Sequence, residues 1–485
     1  MSSNSTVITD AGDVATPSRL HPLVRGMAWA FPAVLAGGWL LAEANRNFDA
    51  LVLSVCVLIL GFLVSSIPGL AETYAQRAFL LTYGSCVLAA GLCQVHSMRV
   101  FGEPLNFVDA VRFYELIPRE PPYLSPEEWR GIVKGALAMY FWQEWYALFR
   151  ALGFEHGPYV GVLANCFIMG LSAILGLRAA AEVFGPDEKR LSLVGVLFAL
   201  CGSFLLLGAI LIRDCFIVLI TIGVFWSLLR TLKKPTTLRV GTAAGCVGIG
   251  IGCMAYLRFH AAYMFLLIAA LAVGSYYWER RETLIRMALL TILAIGAMVA
   301  YSQLERIVGA VGGELAEREE TYLEFAALSS SEDSLGLRYV VNQPLPIRIG
   351  LGSFVLLAFP IPFWAQLRVG DGGYVILQTY HALYQLLVVP LGLAGAIVAL
   401  RRIRAKGESQ GQLLFLFLFT AVSFVAVVYT SREGRHFAPF YIGLLILACL
   451  PDREDPRDRF WLRWMRIGWV GVVALAHVAW ALARS

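Results

Sequence analysis

The feature that most restricts this chain is a succession of apolar, nearly uncharged runs, each about 17–25 residues long, the length a helix needs to cross the hydrocarbon core of a bilayer. A backbone facing lipid must satisfy its own hydrogen bonds, so these runs predict helices. The expected fold is all-α, a polytopic transmembrane bundle of about 13 spans. They fall at approximately 27–44, 50–68, 78–95, 158–183, 191–210, 213–230, 239–256, 260–278, 286–302, 376–400, 411–430, 437–450 and 467–483. Composition agrees: only 15% of the 485 residues are charged and 58% are hydrophobic, whereas soluble domains carry roughly a quarter charged residues. A net charge of +5 gives no support for nucleic-acid binding. All nine cysteines lie in or beside apolar runs without a CxxC spacing, which favours packing over a disulfide framework or a zinc site.

Residues 1–25 begin with a Ser/Thr-rich polar stretch and are expected to form a disordered cytoplasmic tail. Residues 26–485 are expected to form one membrane-embedded unit with outer loops at 96–157 and 303–348. Orientation follows from basic loops. Arg19 and Arg25, Lys189 and Arg190, Lys233, Lys234 and Arg239, Arg280, Arg281 and Arg286, the run from Arg401 to Lys406, and the cluster from Arg453 to Arg466 all fall on the cytoplasmic side when the spans are counted from a cytoplasmic N-terminus. The apolar segment 349–364 breaks that parity as a full span. It is therefore expected to be re-entrant or to lie in the outer leaflet, with Pro360 and Pro362 ending its helix.

The same parity sends an unusual set of ionisable residues outward. Asp109 and Arg112 sit in the first large loop, Arg213 and Asp214 at a helix start, Arg258 and His260 after a glycine-rich span, and Arg432, Arg435 and His436 in a late turn. Charges at helix ends near a membrane commonly face a cavity or a partner. Guanidinium forks suit phosphate oxygens, and a carboxylate suits removal of a proton from a hydroxyl. Plainer readings stand beside this one. Arg213 and Asp214 form a local pair at a helix start; Arg258 and His260 snorkel to the interface; Arg435 and His436 meet lipid headgroups; Asp109 caps a surface helix; and the aromatic run 140–146 is an interfacial belt. The acidic run 314–324 reads as a solvated helix face.

The order of short motifs resembles the glycosyltransferase C superfamily, in particular bacterial relatives of protein O-mannosyltransferases and of the aminoarabinose transferase acting on lipid A. The likeness is carried by Asp109 and Tyr114 in an outer loop, Gly153-Phe154, Asn165 in the next span, Phe184-Gly185, Arg213-Asp214, a glycine-rich span ending at Arg258, and Arg435-His436 before Pro439. It covers roughly residues 100–280 and 430–450. Three apolar runs precede the loop, where that family commonly has one, and Glu103 or Glu115 would have to stand in for a second acidic residue near Asp109.

The resemblance implies a bacterial inner-membrane enzyme that transfers a sugar from a polyprenyl-phosphate donor to a glycan, lipid or protein acceptor on the periplasmic side. Asp109 would be the general base. Arg112, Tyr114, Arg213, Asp214, Arg258, His260, Arg432, Arg435 and His436 would line the substrate and phosphate site. Neutralisation of the leaving phosphate falls either to the cations alone or to a divalent metal bridging it to Asp109. Two rivals remain open: an O-antigen or exopolysaccharide polymerase or ligase, resting on Arg and His without Asp109, and a transporter or flippase for a lipid-linked substrate. No P-loop or dinucleotide fingerprint occurs.

Overall fold

The structure is a computed structural model. It describes residues 22–67, 73–258, 261–280, 345–358, 373–405, 410–430 and 434–482. Every regular element among them is helical and no strand occurs. In chain order they are α1 (Pro22–Asn45), α2 (Asp49–Ser65), α3 (Thr73–Phe101), α4 (Val108–Leu116), α5 (Pro126–Ile132), α6 (Ala136–Ala151), α7 (Pro158–Phe184), α8 (Glu188–Ala199), α9 (Gly202–Ala209), α10 (Asp214–Lys233), α11 (Thr237–Leu257), α12 (Ala261–Arg280), α13 (Leu345–Ala358), α14 (Gly373–Arg404), α15 (Gln410–Thr430), α16 (Gly434–Phe437), a 3-10 turn (Ala438–Phe440), α17 (Tyr441–Ala448) and α18 (Pro456–Leu482).

Among the described residues seven helices are long and apolar enough to cross a membrane: α1, α3, α7, α10, α11, α14 and α15. The number rises to eight if α8 and α9, which meet at a 49° bend, make one broken span. The chain is an integral membrane protein with several apolar helical spans. Helices α3 and α7 form its interior, with 78% and 89% of their most apolar windows buried against other parts of the protein. Phe79 of α3 stacks on Tyr83 and meets the edge of Phe167 of α7. The Tyr83 hydroxyl donates to the Ser54 carbonyl of α2 at 2.9 Å, so a polar tip buried at membrane depth keeps a partner. At the other extreme, only 22% of the α11 window is covered by protein.

The first outer loop is itself helical. Ser125 and Glu128 close a capping box around Pro126, which sits in the first turn of α5. Helix α6 is amphipathic, and Trp142, Trp145 and Tyr146 point into the protein. The Trp142 ring meets Phe216 of α10 and the Trp145 ring meets Phe167 of α7. The structure thus corrects the reading of 140–146 as an interfacial belt: the run lies across the ends of α7 and α10, whose apolar tops draw its aromatic face inward.

The described part of α13 has 14 residues, about 21 Å at 1.5 Å per residue. It packs against α14 and α15, and Gln385 reaches the Leu356 carbonyl. Residues 359–364, 286–302, most of the loop 303–348, the acidic run 314–324 and the N-terminal tail to residue 21 lie outside the described residues.

Candidate functional site

Helices α10 and α11 form an antiparallel hairpin, so Asp214, which opens α10, and Arg258, which follows α11, arrive at the same end. Lys233, Lys234 and Arg239 lie at the opposite end, where Lys233 pairs with Glu182 at 3.4 Å. At the first end Arg258 lies 3.9 Å from the Asp214 carboxylate and 2.9 Å from Nε2 of His436. A guanidinium only donates, so this geometry makes Nε2 the acceptor and the imidazole neutral, with its proton on Nδ1. One residue earlier, Arg435 places its guanidinium 3.4 Å from Asp109 and 5.7 Å from the centre of the Phe107 ring. Four segments, 107–109, 213–214, 258 and 435–436, therefore meet in one cluster of two carboxylates, three guanidiniums and one imidazole.

The two carboxylates differ in surroundings. Asp109 stands in the first turn of α4 with its side chain half exposed, and no side-chain cap bond is made at that helix start. It is not a cap; its partner is Arg435. Asp214 is buried, with 8% of its side chain exposed. A buried carboxylate repels phosphate, so its physical role is to hold Arg258 and, through it, His436. Asp109, open to solvent beside one arginine, is the carboxylate that an incoming hydroxyl is able to reach.

The turn carrying Arg213 and Asp214 is set by Asn165. This residue, wholly buried in α7, donates from Nδ2 to the Ile210 and Ile212 carbonyls at 2.8 and 3.0 Å and accepts from Trp142 Nε1 at 3.0 Å. The chain between α9 and α10 leaves the helix there; the Ile210 carbonyl also accepts from Ile212 N–H at 3.0 Å and the Ile212 carbonyl from the Cys215 thiol at 3.3 Å, so Asn165 completes the pairing of a buried turn. Arg213 in turn donates to the Lys134 carbonyl. Gly135 has a φ of +120°, and a Cβ there would stand 2.8 Å from Cδ of Arg213, so glycine serves both the backbone and the close approach. Burial pushes the Arg213 guanidinium down from its ordinary value, with Asp214 pulling it back up.

The outer loop is fixed to the hairpin by further polar contacts. Gln143 accepts from Leu124 N–H and Trp129 Nε1 and donates to the Leu124 carbonyl, pinning the proline-rich turn. Tyr256, two residues before Arg258, donates to Glu127 at 3.3 Å and lies under Arg130. Neither Gln143 nor the Lys134 carbonyl was marked by the sequence reading. An amide inside an aromatic run was the available signal for Gln143; a backbone carbonyl leaves none.

Tyr114 and Arg112 stand apart from the cluster. The Tyr114 hydroxyl donates to the His156 carbonyl at 3.4 Å, and its ring meets Tyr146 and His156. Burial raises the Tyr114 phenol against the opposing pull of Arg119. Arg112 is exposed on α4 and makes no ion pair among the described residues. Glu103 and Glu115 are exposed. His260 and Arg432 lie outside the described residues.

Six of the nine cysteines are buried and all nine are free thiols. Among the described residues no group of three or more His, Cys, Asp and Glu side chains comes together to hold a metal ion. No known family model matches the chain, and no curated protein matches it in sequence.

Proposed function

We propose that this chain is a glycosyltransferase of the bacterial inner membrane that takes a sugar from a polyprenyl-phosphate donor and passes it to an acceptor on the periplasmic side, in envelope or extracellular polysaccharide or glycolipid synthesis. The supporting observation is the meeting of Asp109 and Arg435, from segments 326 positions apart, next to the Asp214, Arg258 and His436 group. In this reading Asp109 draws the proton from the acceptor hydroxyl as it attacks the anomeric carbon. The glycosidic C–O bond to phosphate breaks, and Arg435, Arg258 and Arg213 take up the charge on the departing polyprenyl phosphate. A divalent metal at Asp109 would share that task. Thirteen spans remain the working topology. Besides the seven long helices and the α8–α9 pair, it uses α2, α12, the α16–α17 stretch, the second half of α18 and the run 286–302.

The observation that Arg258 faces the neutral His436 keeps the polymerase or ligase reading in play, since that chemistry rests on Arg and His. Proteoliposomes supplied with donor, together with mass spectrometry of polyprenyl-linked intermediates in cells, separate the two. Asp109→Asn is expected to lower transfer by about 10²- to 10⁴-fold, the usual scale for a lost general base, while polyprenyl-phosphate binding persists. Undiminished turnover in that variant removes Asp109 as the base. Loss in Arg435→Ala alone favours the ligase.

A further inference from the structure

The bend between α8 and α9 is braced by side chains of α14. Where a span breaks, the last carbonyls of one helix and the first N–H groups of the next lose their helical partners, and within a bilayer other parts of the protein must replace them. The Tyr384 hydroxyl donates to the Leu197 carbonyl at 2.7 Å, and the Tyr380 hydroxyl donates to the Leu200 carbonyl at 2.9 Å. His381 meets the other side of the break: its Nδ1 accepts from the Ser203 backbone N–H, in the first turn of α9, at 3.2 Å. Gly202 permits that approach, since a Cβ there would stand 2.6 Å from Cα of His381.

The same histidine also holds α17. A backbone N–H only donates, so the ring is neutral and its proton sits on Nε2. That nitrogen lies 2.8 Å from the Tyr441 hydroxyl and 3.0 Å from the Ser203 hydroxyl. The Gln385 amide, one turn along α14, lies 2.7 Å from it and reaches the Tyr441 hydroxyl as well. All four side chains are buried. Farther along, a Cβ at Gly395 would run into the Leu447 carbonyl, so α14 and α17 stay pressed together.

Each partner of His381 leads to the cation cluster. From Ser203, α9 runs into the Asn165-braced turn that carries Arg213 and Asp214; Tyr441 follows Arg435 and His436 across the 3-10 turn. At the cluster these two arms meet through Arg258, 3.9 Å from Asp214 and 2.9 Å from His436. A phosphate bound by Arg258 competes with both contacts, whereas a tie made of buried neutral groups stays intact. We infer that His381 is a positioning residue: by joining α9 and α17 on α14 it fixes the spacing of the Arg213 and Arg435 arms, and so the seat offered to a phosphate. The inference rests on the proposed function for the phosphate and deepens it by naming what sets that seat.

The test uses the full chain in lipid nanodiscs, with hydrogen exchange read at 203–216 and 434–441 and decaprenyl phosphate as the ligand. Tyr441→Phe removes the α17 hydroxyl and is expected to speed exchange at 434–441 while 203–216 keeps its native rate. His381→Gln keeps an N–H where Nε2 stood but has no acceptor at the Nδ1 position, so exchange is expected to rise at 203–216 instead. Each variant should weaken decaprenyl phosphate about tenfold, the scale of one lost hydrogen bond. Tyr384→Phe takes a hydroxyl from the same break without touching Ser203 or Tyr441; it is expected to lower the thermal midpoint and leave phosphate affinity unchanged. Native exchange in both segments, equal rises in both, or phosphate binding weakened as much by Tyr384→Phe as by His381→Gln makes His381 a packing residue and overturns the inference. No decaprenyl-phosphate binding by the native chain overturns the enzyme reading, and the exchange pattern still decides whether His381 joins the two arms. Tyr441→Phe against Tyr384→Phe carries the same comparison if His381→Gln fails to fold.

Discussion

His156 shows how a single side chain outside the spans records its surroundings. Its ring lies 4.5 Å from that of Tyr146, and burial, then Arg119 and Arg150, depress it from the ordinary histidine value to about 4. The folded loop therefore holds the neutral ring, whereas an opened loop takes a proton below about 6.5. Stability carried by this contact is complete above about 6.5 and is lost as pH falls towards 4. Hydrogen exchange at residues 152–157 is expected to rise across that window, and His156→Phe, which keeps the ring contact, should flatten the rise. Asp49 accepts from the Glu155 backbone N–H in the same loop, and both carboxyl groups remain in the variant as its internal control. At this scale the sequence was a good guide to charge. Asp109, Arg213, Asp214, Arg258, Arg435 and His436 were marked because ionisable groups at helix ends are costly, and all six meet. Which carboxylate is buried was not legible, because burial depends on neighbours contributed by distant segments.

Among the elements, the seven long apolar helices were legible because lipid leaves the backbone few alternatives, whereas the 49° bend between α8 and α9 within the run 191–210 and the 3-10 turn that opens the run 437–450 were not. The aromatic run of α6 was not: an interfacial belt and a buried seam have the same composition, and only the position of α7 and α10 beneath it decides between them. The turn between α9 and α10 is the most informative joint. Asn165→Leu removes one of two donors from each of the Ile210 and Ile212 carbonyls and leaves the Trp142 donor without its acceptor, a loss worth about 1–3 kcal/mol for the orphaned donor. A lower thermal midpoint is expected, together with weaker phosphate-ligand binding that Arg213→Lys reproduces without the stability loss. Stability lost in Asn165→Leu with phosphate binding intact would detach this turn from the site.

For the whole molecule, the cluster joins helices held with unequal firmness. Helices α3 and α7 are enclosed by protein, while Arg258 follows α11, only 22% of whose most apolar window is buried among the described residues. A span at the periphery, packed on one side only, is the first to tilt when acyl chains are too long or too short for it. Hydrophobic thickness is therefore transmitted to Arg258, and from there to Asp214 and His436, before the α3–α7 core is disturbed. Nanodiscs of graded phosphatidylcholine chain length are expected to change decaprenyl-phosphate affinity several-fold while the thermal midpoint moves little. If the arginine cluster serves a substrate, the host membrane's thickness becomes one of its effectors.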